Sequence, residues 1–223
     1  MGKSERRVWE EHWQALQGQR SLFGALATLV RSVIFSRAVR AISGRYFPTS
    51  GVMVEMGCGT GQASSRIPRQ DRKLVGLDFA IGALVHARNG GSFCRLVQGD
   101  IDSLPFRDSV LDGVWNLGVM EHFDSVRGHS ILREFYRVLK PGAHAILFWP
   151  PDAGSSRLVL GPIEGVVSRF SGRRFMFFPD EVNRLKSKDH GRQCLTGAGF
   201  EAVRVGYSWR DAFIHIVLVG RKP

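Results

Sequence analysis

Three glycines two residues apart, Gly57, Gly59 and Gly61 in the stretch VEMGCGTGQA (54–63), are the first residues whose spacing could do chemistry. Glycine inside a chain costs conformational entropy, so a cluster implies left-handed backbone or close approach to a ligand. Loops of this appearance bind dinucleotides, phosphates or methyl donors. The dinucleotide fingerprint G-x-G-x-x-G fails in both registers, because its third glycine falls on Gln62 counted from Gly57 and on Ser64 counted from Gly59. A P-loop needs G-x-x-x-x-G-K-[ST], and no lysine follows these glycines. Asp78 follows Gly57 by 21 residues, at the place where a carboxylate accepts hydrogen bonds from ribose hydroxyls. Asp100 lies one strand further, within reach of an adenine amino group, and Phe79 and Ile101 could sandwich the ring. Two acids around one nucleoside suit a ligand that carries positive charge and no phosphate.

These residues need a scaffold that brings strand ends together. From Gly51 onward, apolar runs alternate with helical patterns. VMVEM, KLVGLD, FCRLVQGD, VLDGVWNLG and AHAILFWP read as five buried strands. Between them, 61–69 reads as a short helix stopped near Pro68, and FAIGALVHAR as a helix ending at Asn89-Gly90-Gly91. Residues 125–139 place Ile131, Leu132, Phe135, Val138 and Leu139 on one side of a third helix, ended by a clean break at Lys140-Pro141-Gly142. A further helix is expected over 181–196. FEAVRVGYSW and AFIHIVLVG then close the chain, separated only by Arg210 and Asp211, too few residues for a parallel crossover. The expected fold is therefore α/β: a Rossmann-like, seven-stranded, mostly parallel sheet with an antiparallel C-terminal hairpin strand and helices on both faces. Ligands of such sheets bind at the carboxyl ends of the strands, where the glycines and acids fall.

VEMGCGTGQ, LVGLDFA, VQGDIDSLPF, LDGVWNLGVMEHF and REFYRVLKPGAHAILFWP together resemble the class I S-adenosylmethionine-dependent methyltransferases, and among them the type 11-like small-molecule group. The motifs cover roughly residues 50–150 and continue more loosely to the C-terminal hairpin. The resemblance implies S-adenosylmethionine as cofactor and no metal. It implies that Gly57, Cys58 and Gly59 let the backbone approach the methionine part. Glu55 would order the loop and the cofactor's amino group, Asp78 would hold the ribose, and Asp100 with Phe79 and Ile101 would hold the adenine. Asn116, Leu117 and Gly118 would line the site near the sulfonium. Asp102 reads as a turn residue. No catalytic residue is evident. His122 is the histidine nearest the expected mouth, as a base, a substrate contact or a loop-ordering residue. Trp149-Pro150-Pro151 is unlike the N/D-P-P-Y motif of nucleic-acid amino methyltransferases, since it follows strand five and lacks both amide and tyrosine.

Two additions to the core are expected to set the acceptor. Residues 1–50 read as a helical lid, with Trp13 over the site, in front of a methyltransferase domain spanning 51–223. Residues 151–178 read as a cap on the acceptor site, with Phe170, Arg173 and Phe175 as substrate contacts alongside Trp13, His122 and Trp149. The formal charge of +11 sits on the flanks: residues 51–150 carry 11 Lys/Arg and 10 Asp/Glu, whereas residues 1–50 carry 8 and 3. Residues 21–47 are apolar with Arg31, Arg37, Arg40 and Arg45 and no acid, a pattern able to lie on an anionic membrane or to pack on the core with arginines at its solvent edge. Three cysteines without zinc-ligand spacing, and no apolar segment after the basic start, point to a reducing cytoplasm without a signal peptide, with peripheral membrane association as the variant. The expected activity is methyl transfer to an O, N or C nucleophile of a small, apolar or lipid-like acceptor. The alternatives are an RNA or protein methyltransferase holding its partner by the basic flanks, and a non-catalytic cofactor binder. No recognisable RNA-binding motif accompanies the basic residues, which speaks against nucleic acid. The oligomeric state is not legible.

Overall fold

The computed structural model describes residues 30–152, 169 and 182–223. Seven strands form one sheet in the order β3-β2-β1-β4-β5-β7-β6. They are β1 (Ser50–Met56), β2 (Asp71–Asp78), β3 (Arg95–Gln98), β4 (Leu111–Leu117), β5 (Leu139–Trp149), β6 (Glu201–Tyr207) and β7 (Ile216–Arg221). All neighbouring pairs among β1 to β5 are parallel, and β7 runs antiparallel to both β5 and β6. The expected architecture is present, one reversed strand included.

Helices cover both faces because alternate residues of each strand bury on opposite sides. On one face, α1 (Ser36–Tyr46), entered through a π-type turn at Val30–Phe35, packs Ala38, Val39 and Ile42 on Met53, Trp115, Ile146, Phe148, Val217 and Val219. On the other, α3 (Ser125–Val138) packs Ile131, Leu132, Phe135 and Val138 on Val54, Val114, Leu147 and Leu218. Each buried Val, Ile, Leu or Phe contributes about 1.5–3 kcal/mol. Asp124 starts α3 as its N-cap, accepting a hydrogen bond from the Arg127 amide at 2.9 Å. Helix α2 (Ile81–Gly90) ends at left-handed Gly91, and α4 (Lys188–Gly197) adds Leu195 beside α3.

Four local expectations change. Residues 61–69 form only a 3-10 turn, Gln62–Ser64. The stretch between left-handed Gly61 and Pro68 is too short to nucleate a helix, and Pro68 disfavours helical backbone before it. Lys140-Pro141-Gly142 does not break the chain before β5 but forms a bulge within it: pairing jumps from Leu111 with Leu139 to Gly113 with His144. Gly142, at φ +79°, takes the left-handed turn of that bulge. The helix expected over 181–196 begins at Lys188, where Ser187 caps it by accepting from the His190 amide at 3.0 Å. The preceding residues instead run beside the end of β5, with the Leu185 amide donating to the Pro150 carbonyl at 3.0 Å. The link between β6 and β7 is longer than Arg210-Asp211, occupying residues 208–215.

The apolar face of α1 faces the sheet, so between 36 and 46 the arginines form its solvent edge. Among the described residues no helix is long and apolar enough to cross a membrane. Residues 1–29, most of 151–178, and Trp13, Phe170, Arg173 and Phe175 lie outside the described residues.

Close packing makes one position in β4 sensitive to a single methyl group. A Cβ at Gly113 would sit 2.7 Å from two ring carbons of Phe47, a buried side chain wedged against Trp115. Gly113→Ala is expected to lower unfolding stability by about 1–3 kcal/mol in urea titration, with the slope unchanged.

Candidate functional site

Parallel register aligns the carboxyl ends of β1, β2 and β4. Met56 pairs with Leu77, and Glu55 with both Gly76 and Trp115. The glycine loop therefore leaves β1 beside the end of β2 and is tied to it. The Gly57 and Cys58 amides donate to the Leu77 carbonyl at 2.8 and 2.9 Å, and the Gly59 amide donates to Asp78 Oδ2 at 2.8 Å. Asp78 Oδ1 accepts from the Ala80 amide at 2.9 Å, so one carboxylate holds the loop and the turn into α2 together. Burial raises the Asp78 carboxyl above its ordinary pKa, and the amides of Ala80, Gly59 and Phe79 oppose that rise. Gly57 and Gly59 both have positive φ, +69° and +51°. A Cβ at Gly57 would meet Val119 at 2.7 Å, so space as well as backbone excludes a side chain.

The result is a cleft enclosing about 590 Å³ of space open to solvent, lined by Gly57, Gly59, Asp78, Phe79, Asp100, Ile101, Gly118, Val119, His122 and Phe123. Among the described residues the lining holds two acids and no lysine or arginine. This donor set fits a cationic nucleoside and disfavours a phosphate, so the residues present fit S-adenosylmethionine.

Six of the ten expected cofactor residues line the cleft: Gly57, Gly59, Asp78, Phe79, Asp100 and Ile101. Glu55 stands behind it, 3% exposed, in a buried relay. The Trp115 indole donates to Ser64 Oγ at 3.2 Å, and the Ser64 hydroxyl donates to Glu55 Oε2 at 2.5 Å. Burial pushes the Glu55 carboxyl up from 4.5 to about 8, with the nearby Asp78 charge adding to the rise and the Ser64 hydroxyl opposing it. Cys58 is also behind the loop, where the absence of a side chain at Gly76 makes room for its sulfur. Burial raises its thiol pKa, so it packs as a neutral side chain. Leu117 packs against the α1-side core, and Asn116 is fully buried. The Asn116 amide oxygen and nitrogen make no hydrogen bond among the described residues, an arrangement that a polar partner at the end of β4 would complete.

Among the expected substrate contacts, His122 lines the cleft from the 3-10 turn Met120–His122. That turn is anchored by the Glu121 carbonyl, which accepts from the Val182 and Asn183 amides at 2.8 and 2.9 Å. Trp149 is elsewhere. Its ring is 1% exposed in the core on the α3 side, and its indole donates to the Asn183 carbonyl at 2.8 Å. Val119 and Phe123 are lining residues that the sequence did not single out. Arg127 packs over the Phe123 ring at 4.6 Å and is paired with Asp102 at 2.5 Å. Burial would raise the Asp102 carboxyl, but hydrogen bonds from Arg127 hold it below its usual range. Its role is to brace the cleft wall, in agreement with the turn reading. The one available signal was the placement of Arg127 three residues after the α3 cap, which does not reveal a partner 25 residues upstream.

A mostly parallel seven-stranded sheet with a glycine-lined, acidic nucleoside cleft at its strand ends defines a Rossmann-like nucleoside-binding fold. Residues 54–147 match the family described as a methyltransferase domain. Over that matched region the chain carries a methyltransferase domain of the class I S-adenosylmethionine-dependent type, and S-adenosylmethionine is the cofactor of that family. It is 34% identical over 148 residues to the malonyl-[acyl-carrier protein] O-methyltransferase of Erwinia pyrifoliae, covering 66% of this chain and 53% of that one. It is 28% identical over 170 residues to the ubiquinone/menaquinone biosynthesis C-methyltransferase of Geobacter sulfurreducens, covering 67% and 64%. The fold superposes on magnesium protoporphyrin IX methyltransferase from Synechocystis with bound SAH at a TM-score of 0.65 and 18% identity, covering 97% of this chain and 95% of that one. The chain spans about half the length of the curated relatives it matches.

The relay behind the loop has a pH signature. A carboxyl raised to about 8 in the folded state binds its proton there while the unfolded chain releases it above 4.5. Its contribution is therefore complete below the unfolded value and is lost as pH rises through the folded one, at up to about 1.4 kcal/mol per pH unit. Glu55→Gln is expected to flatten the fall in unfolding free energy between pH 5 and 8, measured by denaturant titration at several pH values.

Proposed function

We propose that this chain transfers the methyl group of S-adenosylmethionine to an O, N or C nucleophile of a small, apolar or lipid-like acceptor. The observation that supports this most is the cleft lining: glycine backbone on one side, Asp78 and Asp100 at adjacent strand ends, apolar Phe79 and Ile101, and no lysine or arginine among the described residues. When bound, the cofactor supplies a methyl group already activated by a sulfonium, so the protein's tasks are binding, alignment and exclusion of water.

The residues divide those tasks. Gly57 and Gly59 offer open backbone to the amino-acid end. Asp78 keeps lone pairs for ribose hydroxyls beyond those spent on Gly59 and Ala80, and Asp100 faces the base. His122, on the same lining, would take a proton from an acceptor hydroxyl or amine, or position it. A general base is needed only for an acceptor protonated at neutral pH. The quinone and porphyrin named for two of the relatives support an apolar acceptor. An RNA or protein acceptor held by the basic flanks is the second reading, favoured by charge; it requires binding that weakens steeply with salt.

Calorimetry with S-adenosylmethionine tests the reading. The intact chain is expected to bind, and Asp78→Ala to weaken binding by about 10- to 100-fold, the worth of one or two charge-assisted hydrogen bonds. No binding, or equal binding by the variant, overturns it. His122→Asn is expected to leave cofactor affinity unchanged and to lower turnover by about 10²–10⁴ if the acceptor must lose a proton.

A further inference from the structure

The link between β6 and β7 presents a second surface, independent of the cleft. Because β7 is reversed, residues 208–215 lie at the same end of the sheet as the glycine loop; Tyr207 and Trp149 both pair with Ile216 there. The link is a 3-10 turn, Trp209–Asp211, followed by Ala212 and Phe213, both at positive φ (+56° and +58°). Two consecutive non-glycine residues in the left-handed region are strained, and the surroundings must hold them there. They do. Asp211 is fully buried, its Oδ2 accepting from the His215 amide at 3.1 Å and lying 3.0 Å from His215 Nδ1, and the His215 ring is set edge-on against Phe35 and Phe148. The Phe213 amide closes the turn on the Ser208 carbonyl at 3.0 Å.

This anchored tip shows its aromatics to solvent: Trp209 is 67% exposed and Phe213 51%. Beside it runs a groove enclosing about 1340 Å³ of space open to solvent, between the tip and the solvent edge of α1, whose charged lining is Arg37, Arg40 and Arg210. None of these three arginines pairs with a carboxylate among the described residues. Arg210 instead lies over the Trp209 ring, 4.4 Å from its centroid.

We propose that this tip and groove dock the protein on an anionic membrane surface, with Trp209 and Phe213 seated among the headgroups and Arg37, Arg40 and Arg210 against lipid phosphates. Large aromatics with arginines suit the boundary between water and acyl chains, where ring bodies are apolar and guanidinium groups meet anionic headgroups. A nucleic acid fits less well, because a base would stack on a tryptophan face and Arg210 covers one of them. A rigid acidic protein would need a complementary hollow for two protruding rings, which a bilayer supplies by yielding. The contact would bring the acceptor end of the sheet to the bilayer, where an apolar acceptor dissolves.

Sedimentation of the full chain with phosphatidylcholine vesicles, with and without phosphatidylglycerol, tests this. The chain is expected to bind only the anionic vesicles, less so as salt rises. Trp209→Ala with Phe213→Ala, and separately Arg37→Gln with Arg40→Gln and Arg210→Gln, should each weaken binding at least about tenfold. Brominated acyl chains should quench the fluorescence of the intact chain, and Trp209→Phe should remove that quenching. Unchanged thermal midpoints and unchanged S-adenosylmethionine affinity show that the variants are folded, and vesicle binding can be read whether or not the cofactor binds. No vesicle binding, equal binding to neutral and anionic vesicles, binding retained by the Trp209/Phe213 variant, or displacement from vesicles by polyuridylate through Trp209 would overturn the proposal.

Discussion

One carboxylate sets the geometry of the cleft. Asp78 ends β2, yet its two oxygens bind amides on either side of it, Gly59 in the loop after β1 and Ala80 at the start of α2. The glycine loop has little of its own to hold it: its residues are small and several of its backbone angles are left-handed, so an external tie must select one conformation. The tie is costly, since a carboxylate in an apolar setting prefers to be neutral, and backbone amides are what make the charged form tolerable there. Behind the loop, Glu55 meets the same problem with a different solution. It receives a hydroxyl hydrogen bond from Ser64, itself steadied by the Trp115 indole, and keeps its proton to higher pH.

Much of this was legible in the sequence where chemistry and pattern coincide. Glycine spacing, the acids at strand ends and the apolar runs are local signals, and each strand and the cleft's acids follow from them. What the sequence did not yield depends on partners far along the chain. Glu55 looks like a ligand from its position beside the glycines. Only the pairing of β1 with β4, which brings Trp115 alongside, and the tight turn at Gln62–Ser64 show that one of its carboxyl oxygens is engaged within the fold. Trp149 ends a strand at the ligand end of the sheet, but the side of the sheet on which it points is a matter of register. The bulge at Lys140-Pro141-Gly142 shows how a strong local stop signal yields to the sheet around it. The Gly142 amide finds the Lys222 carbonyl at 2.8 Å, and the Lys222 ammonium gathers carbonyls at the end of α3.

The two faces of the sheet are used differently. On the α3 side, the largest buried cluster joins β1, β2, β4 and β5 to α3 and α4 and underlies the cleft wall carried by Met120. On the α1 side, a smaller cluster seals the sheet under an arginine-edged helix and reaches His215 through Phe35 and Phe148. Among the described residues the cleft lining holds acids and no lysine or arginine, while Arg37 and Arg40 of α1 and Arg210 of the β6–β7 link line a separate groove.

The strand order also dictates when the fold can close. β7 comes last in chain order but sits inside the sheet, between β5 and β6. Until residues 216–221 have been made, β5 presents an unpaired edge rich in Ala, Ile, Leu, Phe and Trp, and β6 has no strand to pair with. Assembly of the left half, β3-β2-β1-β4-β5, can precede that moment, but the right half is all-or-none, with two ladders forming in one insertion. A chain cut short before Ile216 would therefore lose two strands from its sheet, and would offer the open edge of β5 to whatever other strand it meets first.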